Sequence, residues 1–171
     1  LRPLAQFLNE CQNSEEVRRT YFGRTSSYLL YHILDRLVDY CFPMLNKIGA
    51  NIEAMENDVF TKPVPKTVQE ILMVKRDLVS FRRIIHPQIA VVDSLEQCRW
   101  AFLKGDMDVY FGDIGDHLDK IWDMLEDYRE LVDNLSDASN WLTSHRIQET
   151  MRIIAVLAAL LTPLVVIPGL Y

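Results

Sequence analysis

Carboxylates at helical spacing are the side chains of this chain best placed to do chemistry. Asp116, Asp119, Asp123, Glu126, Glu130, Asp133 and Asp137 follow one another at alternating threes and fours, so on a helix they form one stripe. From Asp106 to Thr150 twelve acids stand against Lys120, Arg129 and Arg146, a net charge of −9. Like charge at that density repels itself, and hard divalent cations with oxygen ligands offset the repulsion. At the start of the stripe Asp113, Asp116 and His117 share one side of the first turns. A carboxylate pair there would hold Mg²⁺ largely through its waters, with a neighbouring subunit completing the shell. His117 would suit Zn²⁺ better. The plainer alternatives are the solvated outer face of a coiled coil and a packed or solvated histidine. No Gly-rich phosphate loop or nucleophile motif occurs, and His32, His86, His117 and His145 are scattered, so no enzyme is expected.

The stripe needs a helix to carry it. Phe111, Ile114, Leu118, Ile121, Leu125, Tyr128, Val132 and Leu135 form an apolar seam beside the acids, and no proline interrupts the pattern from Val109 to Pro163. At about 1.5 Å per residue this helix extends roughly 80 Å to that proline, far more than a bilayer's thickness. It reads as a stalk that wants partners.

The stalk runs into Ile153 to Tyr171, 19 uncharged residues in succession, close to the roughly 20 that a transmembrane helix needs. A buried core helix is the alternative. Thr162, Pro163, Pro168 and Gly169 interrupt the run, which a membrane bundle tolerates better than a soluble helix does. Gln148, Met151, Ala155, Ala158 and Thr162 make a small or polar stripe suited to a bundle interior, either a pore wall or close helix packing. Arg146 and Arg152 at the near edge place everything before about residue 150 in the cytoplasm by the positive-inside tendency.

Ahead of the stalk, Thr25 to Ser27 supply capping chemistry for a helix with apolar residues at Leu30, Leu34, Leu37, Cys41, Met44, Ile48, Ile52, Met55 and Val59, kinked at Pro43. TKPVPK, Thr61 to Lys66, reverses the chain. A second helix follows, capped by Thr67 with Glu70, its apolar face at Val68, Ile71, Leu72, Leu78, Val79, Ile85 and Ile89 and a bend at Pro87. It is basic at Lys75, Arg76, Arg82 and Arg83, complementary to the stalk. Gln97 to Asp108 reads as the connecting loop. The fold class is therefore all-α, a long antiparallel helical hairpin packed on a very long stalk helix that continues into a transmembrane helix.

A formal charge of −6 argues against a nucleic-acid binder. Cys11, Cys41 and Cys98 lack metal-ligand spacing and read as reduced packing residues. The N-terminus has neither an initiator Met nor an apolar signal, and the apolar run stops without flanking charge, so a fragment is expected.

The run MRIIAVLAALLTPLVVIPGLY, preceded by YFGDIGDHLDKIWDMLEDYRELVDNLSDASNWLTS, resembles the stalk and first transmembrane helix of the CorA family of magnesium channels. YLLYHILDRLVDYCFPMLNKIGANIEAMENDVF resembles the first helix of that family's stalk-flanking pair. The resemblance covers Ser26 to Tyr171 and stops one residue short of the family's Gly-Met-Asn signature. It implies a homopentameric channel in the cell (inner) membrane whose pore is lined by the first transmembrane helix and gated by Mg²⁺ between cytoplasmic domains. By position, Met151 resembles the pore's hydrophobic constriction, with Ile154 beside it. Thr162 falls at a further pore-lining position, and Gln148 stands where the family often has Asn. Asp113 matches the stalk carboxylate of the regulatory inter-subunit site, and Asp137 an acid nearer the pore entrance. The implied division is 1–24 as the tail of an N-terminal α/β domain, 25–108 as the helix pair and its loop, 109–150 as the acidic stalk, and 151–171 as the first transmembrane helix. The rival readings are a zinc (or cobalt or nickel) transporter of the related zinc branch and, from another class, a membrane-anchored coiled-coil scaffold.

Overall fold

A computed structural model describes residues 2–59, 64–97 and 107–169, with side chains from residue 66 in the second of these segments and up to residue 161 in the third. Six helices follow in order among them: α1 (Arg2–Asn13), α2 (Glu15–Phe22), α3 (Ser26–Asp39), α4 (Cys41–Asp58), α5 (Val64–Gln97) and α6 (Asp108–Gly169). No strand occurs among the described residues. The fold is all-α, as the periodicity requires.

Seven-residue spacing of buried apolar residues organises the bundle. Val38, Leu45, Ile52 and Val59 on α3 and α4, then Ile71, Leu78, Ile85 and Val92 on α5, are all buried. On α6 the seam read from the sequence is the core itself, with Phe111, Ile114, Leu118, Ile121 and Leu125 wholly buried, Val132 and Leu135 nearly so, and Tyr128 half-buried. A strict heptad keeps each seam facing its partners over many turns. Each such side chain contributes roughly 1.5–3 kcal/mol of burial. Contacts set the directions: Tyr31 meets Asp113 and Asp39 meets His117, while Lys75 meets Asp133 and Arg82 meets Glu126. Thus α3 and α4 run parallel to α6, and α5 antiparallel.

Pro43 does more than kink a helix. The helix stops at Asp39, Tyr40 intervenes, and α4 begins at Cys41 with Pro43 in its first turn. Proline has no N–H for the carbonyl of Asp39, and the first turn of a new helix is where that lack costs least. The heptad survives the break in phase, so Leu45, seven residues after Val38, is buried while Met44 is exposed. Thr25 caps α3 as expected, its hydroxyl accepting from the N–H of Tyr28 at 3.3 Å. Thr67 does not cap α5. The helix begins at Val64, and Thr67 lies inside it, buried, its hydroxyl unpartnered. The apolar face of α5 is also narrower than its sequence suggests, since Val68, Leu72 and Val79 are exposed. The reversal at residues 60–63 and the connecting stretch 98–106, which contains Cys98, lie outside the described residues.

At the N-terminus, Ser14 accepts from the N–H of Val17 and separates two short helices. Arg36 fixes them to α3. Its guanidinium pairs with Glu10 at 2.6 Å and lies over the rings of Phe7 and Tyr21.

Beyond the bundle α6 continues as an exposed helix. Every residue from Ser144 to Leu161 is exposed within the chain, including Ile147, Met151, Ile153, Ile154, Val156, Leu157, Leu160 and Leu161. Among the described residues no helix is long and apolar enough to cross a membrane. The second half of the expected span, 162–171, falls outside the described side chains.

Close approach of α4 to α6 depends on one glycine. A Cβ at Gly49 would lie 2.5 Å from the phenol oxygen of Tyr128 and 2.8 Å from its Cζ. Gly49→Ala is expected to lose about 1–3 kcal/mol in chemical denaturation despite alanine's better helix propensity, and the double variant Gly49→Ala, Tyr128→Leu to recover part of it.

Candidate metal site

Asp35 and Asp39 lie four residues apart on α3, so their carboxylates share one face, and that face meets His117 of α6. Nδ1 of His117 is 3.4 Å from Oδ1 of Asp39 and 3.8 Å from Oδ1 of Asp35. It is buried and makes no hydrogen bond to either. One ligand atom from each residue falls within 4.8 Å of the others. Two hard oxygens and one imidazole nitrogen at this spacing are a donor set of the kind that holds a divalent cation.

The surroundings strain the negative charge. Burial pushes the Asp35 carboxyl above its ordinary value, and the neighbouring Asp39 adds to the shift, as does Asp113, while His117 and Arg36 oppose it. Asp39 ends α3, where the helix dipole also disfavours an anion. A cation would relieve all of these at once. Next to the pair, the Tyr31 hydroxyl donates to Oδ2 of Asp113 at 3.1 Å. Burial, Asp35 and that hydrogen bond drive the Tyr31 phenol well above its usual range, so it stays a donor. The edge of Phe42 closes one side of the His117 ring, with ring centroids 5.9 Å apart.

The residues singled out from the sequence are distributed over two places. His117 joins Asp35 and Asp39. Asp113 and Asp116 line an open acidic cleft between the end of α5 and the start of α6, together with Asp93, Glu96, Asp108 and Asp119. Gly112 and Gly115 face α5 there, with the Glu96 carboxylate oxygen 3.5 Å from where a Gly112 Cβ would stand. Asp113 borders both, since it binds Tyr31 and acts on Asp35 through its charge. Asp137 is exposed further along α6, and Gln148, Met151, Ile154, Ala155 and Ala158 lie on its uncovered length. The Thr162 side chain lies outside those described. Asp35 and Asp39 escaped the sequence reading. Their signal was the four-residue spacing in LDRLVD, which is legible only once a partner helix is known to face it.

Lower on the stripe the charges of Glu126 and Asp133 are already matched. Lys75 pairs with Asp133 at 2.6 Å, and Arg82 with Glu126 at 2.8 Å while its guanidinium covers the Trp122 ring. Arg129 bridges Glu126 and Asp133 along α6. Hydrogen bonds from Arg129 and Arg82 hold Glu126 below the ordinary carboxylate range, and Lys75 does the same for Asp133. Exposed pairs of this kind contribute little stability but fix which acids face α5.

The family described as CorA-like Mg²⁺ transporter protein matches residues 2–171. The chain is 34% identical over 148 residues to the cobalt/magnesium transport protein CorA of Thermotoga maritima, an alignment covering 86% of this chain and 42% of that protein. It is 29% identical over 144 residues to the putative metal ion transporter YfjQ of Bacillus subtilis, covering 84% and 45%. The chain thus spans less than half the length of these curated relatives. Its fold matches the CorA magnesium transporter of Methanocaldococcus jannaschii with a TM-score of 0.83 at 19% identity, over 93% of this chain and 50% of that one.

Because the folded-state value of Asp35 is raised, its contribution favours folding at acid pH and is lost as pH rises from the ordinary carboxylate value through the raised one. Thermal unfolding in chelator is expected to show this loss, and Asp35→Asn to flatten it. Mg²⁺ at about 100 times its dissociation constant is expected to restore roughly 2.7 kcal/mol at neutral pH, and Asp35→Asn, Asp39→Asn to abolish that gain.

Proposed function

The chain belongs to the CorA-like Mg²⁺ transporter family, and from that premise we propose that it moves Mg²⁺ across a membrane as a homopentameric channel governed by internal Mg²⁺. The observation that carries this reading is the continuity of α6. One 62-residue helix, roughly 90 Å long, has the carboxylate and imidazole groups at one end and uncovered apolar residues at the other. A shift at the acidic end is transmitted along it because a packed helix moves as a rigid element.

In this reading residues 25–108 are the helix pair that braces the stalk, 109–150 the acidic stalk, and 151–171 the first transmembrane helix, with 1–24 leading from an N-terminal domain. Exposed apolar side chains on the free end of α6 need lipid or other copies to cover them. Five such helices would enclose a pore lined by Gln148, Met151, Ile154, Ala155, Ala158 and Thr162, with Met151 as its narrowest ring and Asp137 attracting cations toward the mouth. Mg²⁺ held by Asp113 and Asp116, with a neighbouring subunit's groups and His117 nearby, would tie adjacent stalks together. Its loss leaves unscreened carboxylates that repel, splaying the stalks and widening the ring at Met151.

His117 supports a second reading of the cargo. Imidazole nitrogen favours later transition ions over Mg²⁺, so Co²⁺ or Zn²⁺ fits a site containing Nδ1 of His117 beside two carboxylates. The Thermotoga maritima relative bears a cobalt/magnesium name.

Ion flux into proteoliposomes containing the full-length protein decides between these. Saturable Mg²⁺ uptake that closes as internal Mg²⁺ rises is expected, and Asp113→Ala is expected to raise the inhibitory Mg²⁺ concentration about tenfold, equivalent to ~1.4 kcal/mol. Inhibition unchanged in that variant would remove Asp113 from the regulatory site. Zn²⁺ uptake without Mg²⁺ uptake would move the protein to the zinc branch.

A further inference from the structure

The outer face of α5 has the composition of an interface and leaves large apolar side chains exposed. Leu72, Val79 and Ile84 are exposed by more than half and line a shallow groove with Lys75, Arg76, Ser80 and Arg83. Lys75 and Arg82 turn inward to Asp133 and Glu126. Arg76 and Arg83, seven residues apart, turn outward. Arg76 makes only a loose contact of 3.7 Å to the adjacent Asp77, and Arg83 has no acidic partner among the described residues. Two unneutralised cations among exposed aliphatic side chains match a surface that is acidic and partly apolar.

Such a surface lies on the same chain at the same height. The antiparallel pairs Lys75 with Asp133 and Arg82 with Glu126 set the register, so Leu72 to Ile84 lie level with Met124 to Ser136. Around that level α6 exposes Asp123, Asp127 and Glu130 at spacings of four and three, next to the exposed Leu131. These acids face away from the buried seam, so the groove cannot reach them within one chain. Copies standing side by side with parallel stalks would bring one copy's groove onto the next copy's acids without any vertical shift. That contact joins two different faces, and a contact of this kind generates a ring where its rotation closes.

We propose that the α5 groove of one copy docks on the Asp123, Asp127 and Glu130 face of α6 in the next, with Arg76 and Arg83 pairing to those acids around a strip formed by Leu72, Val79 and Ile84. The proposal rests on the self-association reading and names the faces that meet. It gives the acidic stripe a divided role. Glu126 and Asp133 hold α5 of their own chain, while Asp123, Asp127 and Glu130 hold that of a neighbour.

The test uses the full-length protein in membranes carrying Val79→Cys and Asp127→Cys, with each single variant as control, a short bismaleimide, and native gels run alongside. The double variant is expected to give a ladder of covalent multimers beyond dimer that neither single variant gives. Arg76→Glu, Arg83→Glu added to it is expected to cut the ladder at least fivefold, and Asp123→Arg, Glu130→Arg on top of that to restore it. No ladder, or dimers only, from a protein that still migrates as an oligomer would overturn these faces while leaving self-association intact. A protein that migrates as a monomer would overturn both.

Discussion

Everything in this molecule depends on one helix being buried along a single seam over its first half and left bare beyond it. The heptad from Phe111 to Leu135 is enclosed by α3 and α4 on one flank and α5 on the other. A straight helix drifts relative to a seven-residue repeat, so holding that seam in contact requires the partners to follow it as a coiled coil. The partners obey the same repeat, even across the break at Tyr40. With the apolar seam fixed, every acid on α6 is assigned a direction.

Those directions divide one uniform-looking stripe into groups with different chemistry. Glu126 and Asp133 face the basic side of α5 and are held ionised by it. Asp113 and Asp116 open on a cleft with four other acids. His117, on the opposite flank, looks at Asp35 and Asp39, where charge is crowded and partly buried. Crowded carboxylates of this kind are relieved by a divalent cation held through oxygen ligands. The acids matched by Lys75 and Arg82 need none.

The break at Tyr40 belongs to this arrangement. Asp39 is the last residue of α3, and Pro43 forces the new helix to start beside it. The candidate site therefore sits at a joint in one flank and on an unbroken helix in the other. A change in charge there acts on a place where the backbone already lacks continuous hydrogen bonding. The uncovered end of α6 is the far end of the same element, which ties the chemistry of the cluster to the apolar residues beyond Ser144.

By itself the sequence determined the helical class, the unbroken reach of α6 and its seam, because apolar residues at threes and fours over seven turns admit only one buried face. It also determined the acidic stripe and the residues that carry the resemblance to the family. Thr67 misled because a capping pattern is local, whereas α5 already begins at Val64 and holds Thr67 inside it, buried. Leu72 and Val79 misled because aliphatic character marks a residue as able to be buried, not as buried. Only the tertiary structure decided which of the three faces of α6 each acid occupies, that Asp35 and Asp39 belong with His117, and that Lys75 and Arg82 are spent inside the chain while Arg76 and Arg83 are not. Residues 78 or more positions apart meet at that cluster, and no periodicity within either helix encodes the register between them. That register comes from the fit of whole heptads on facing helices.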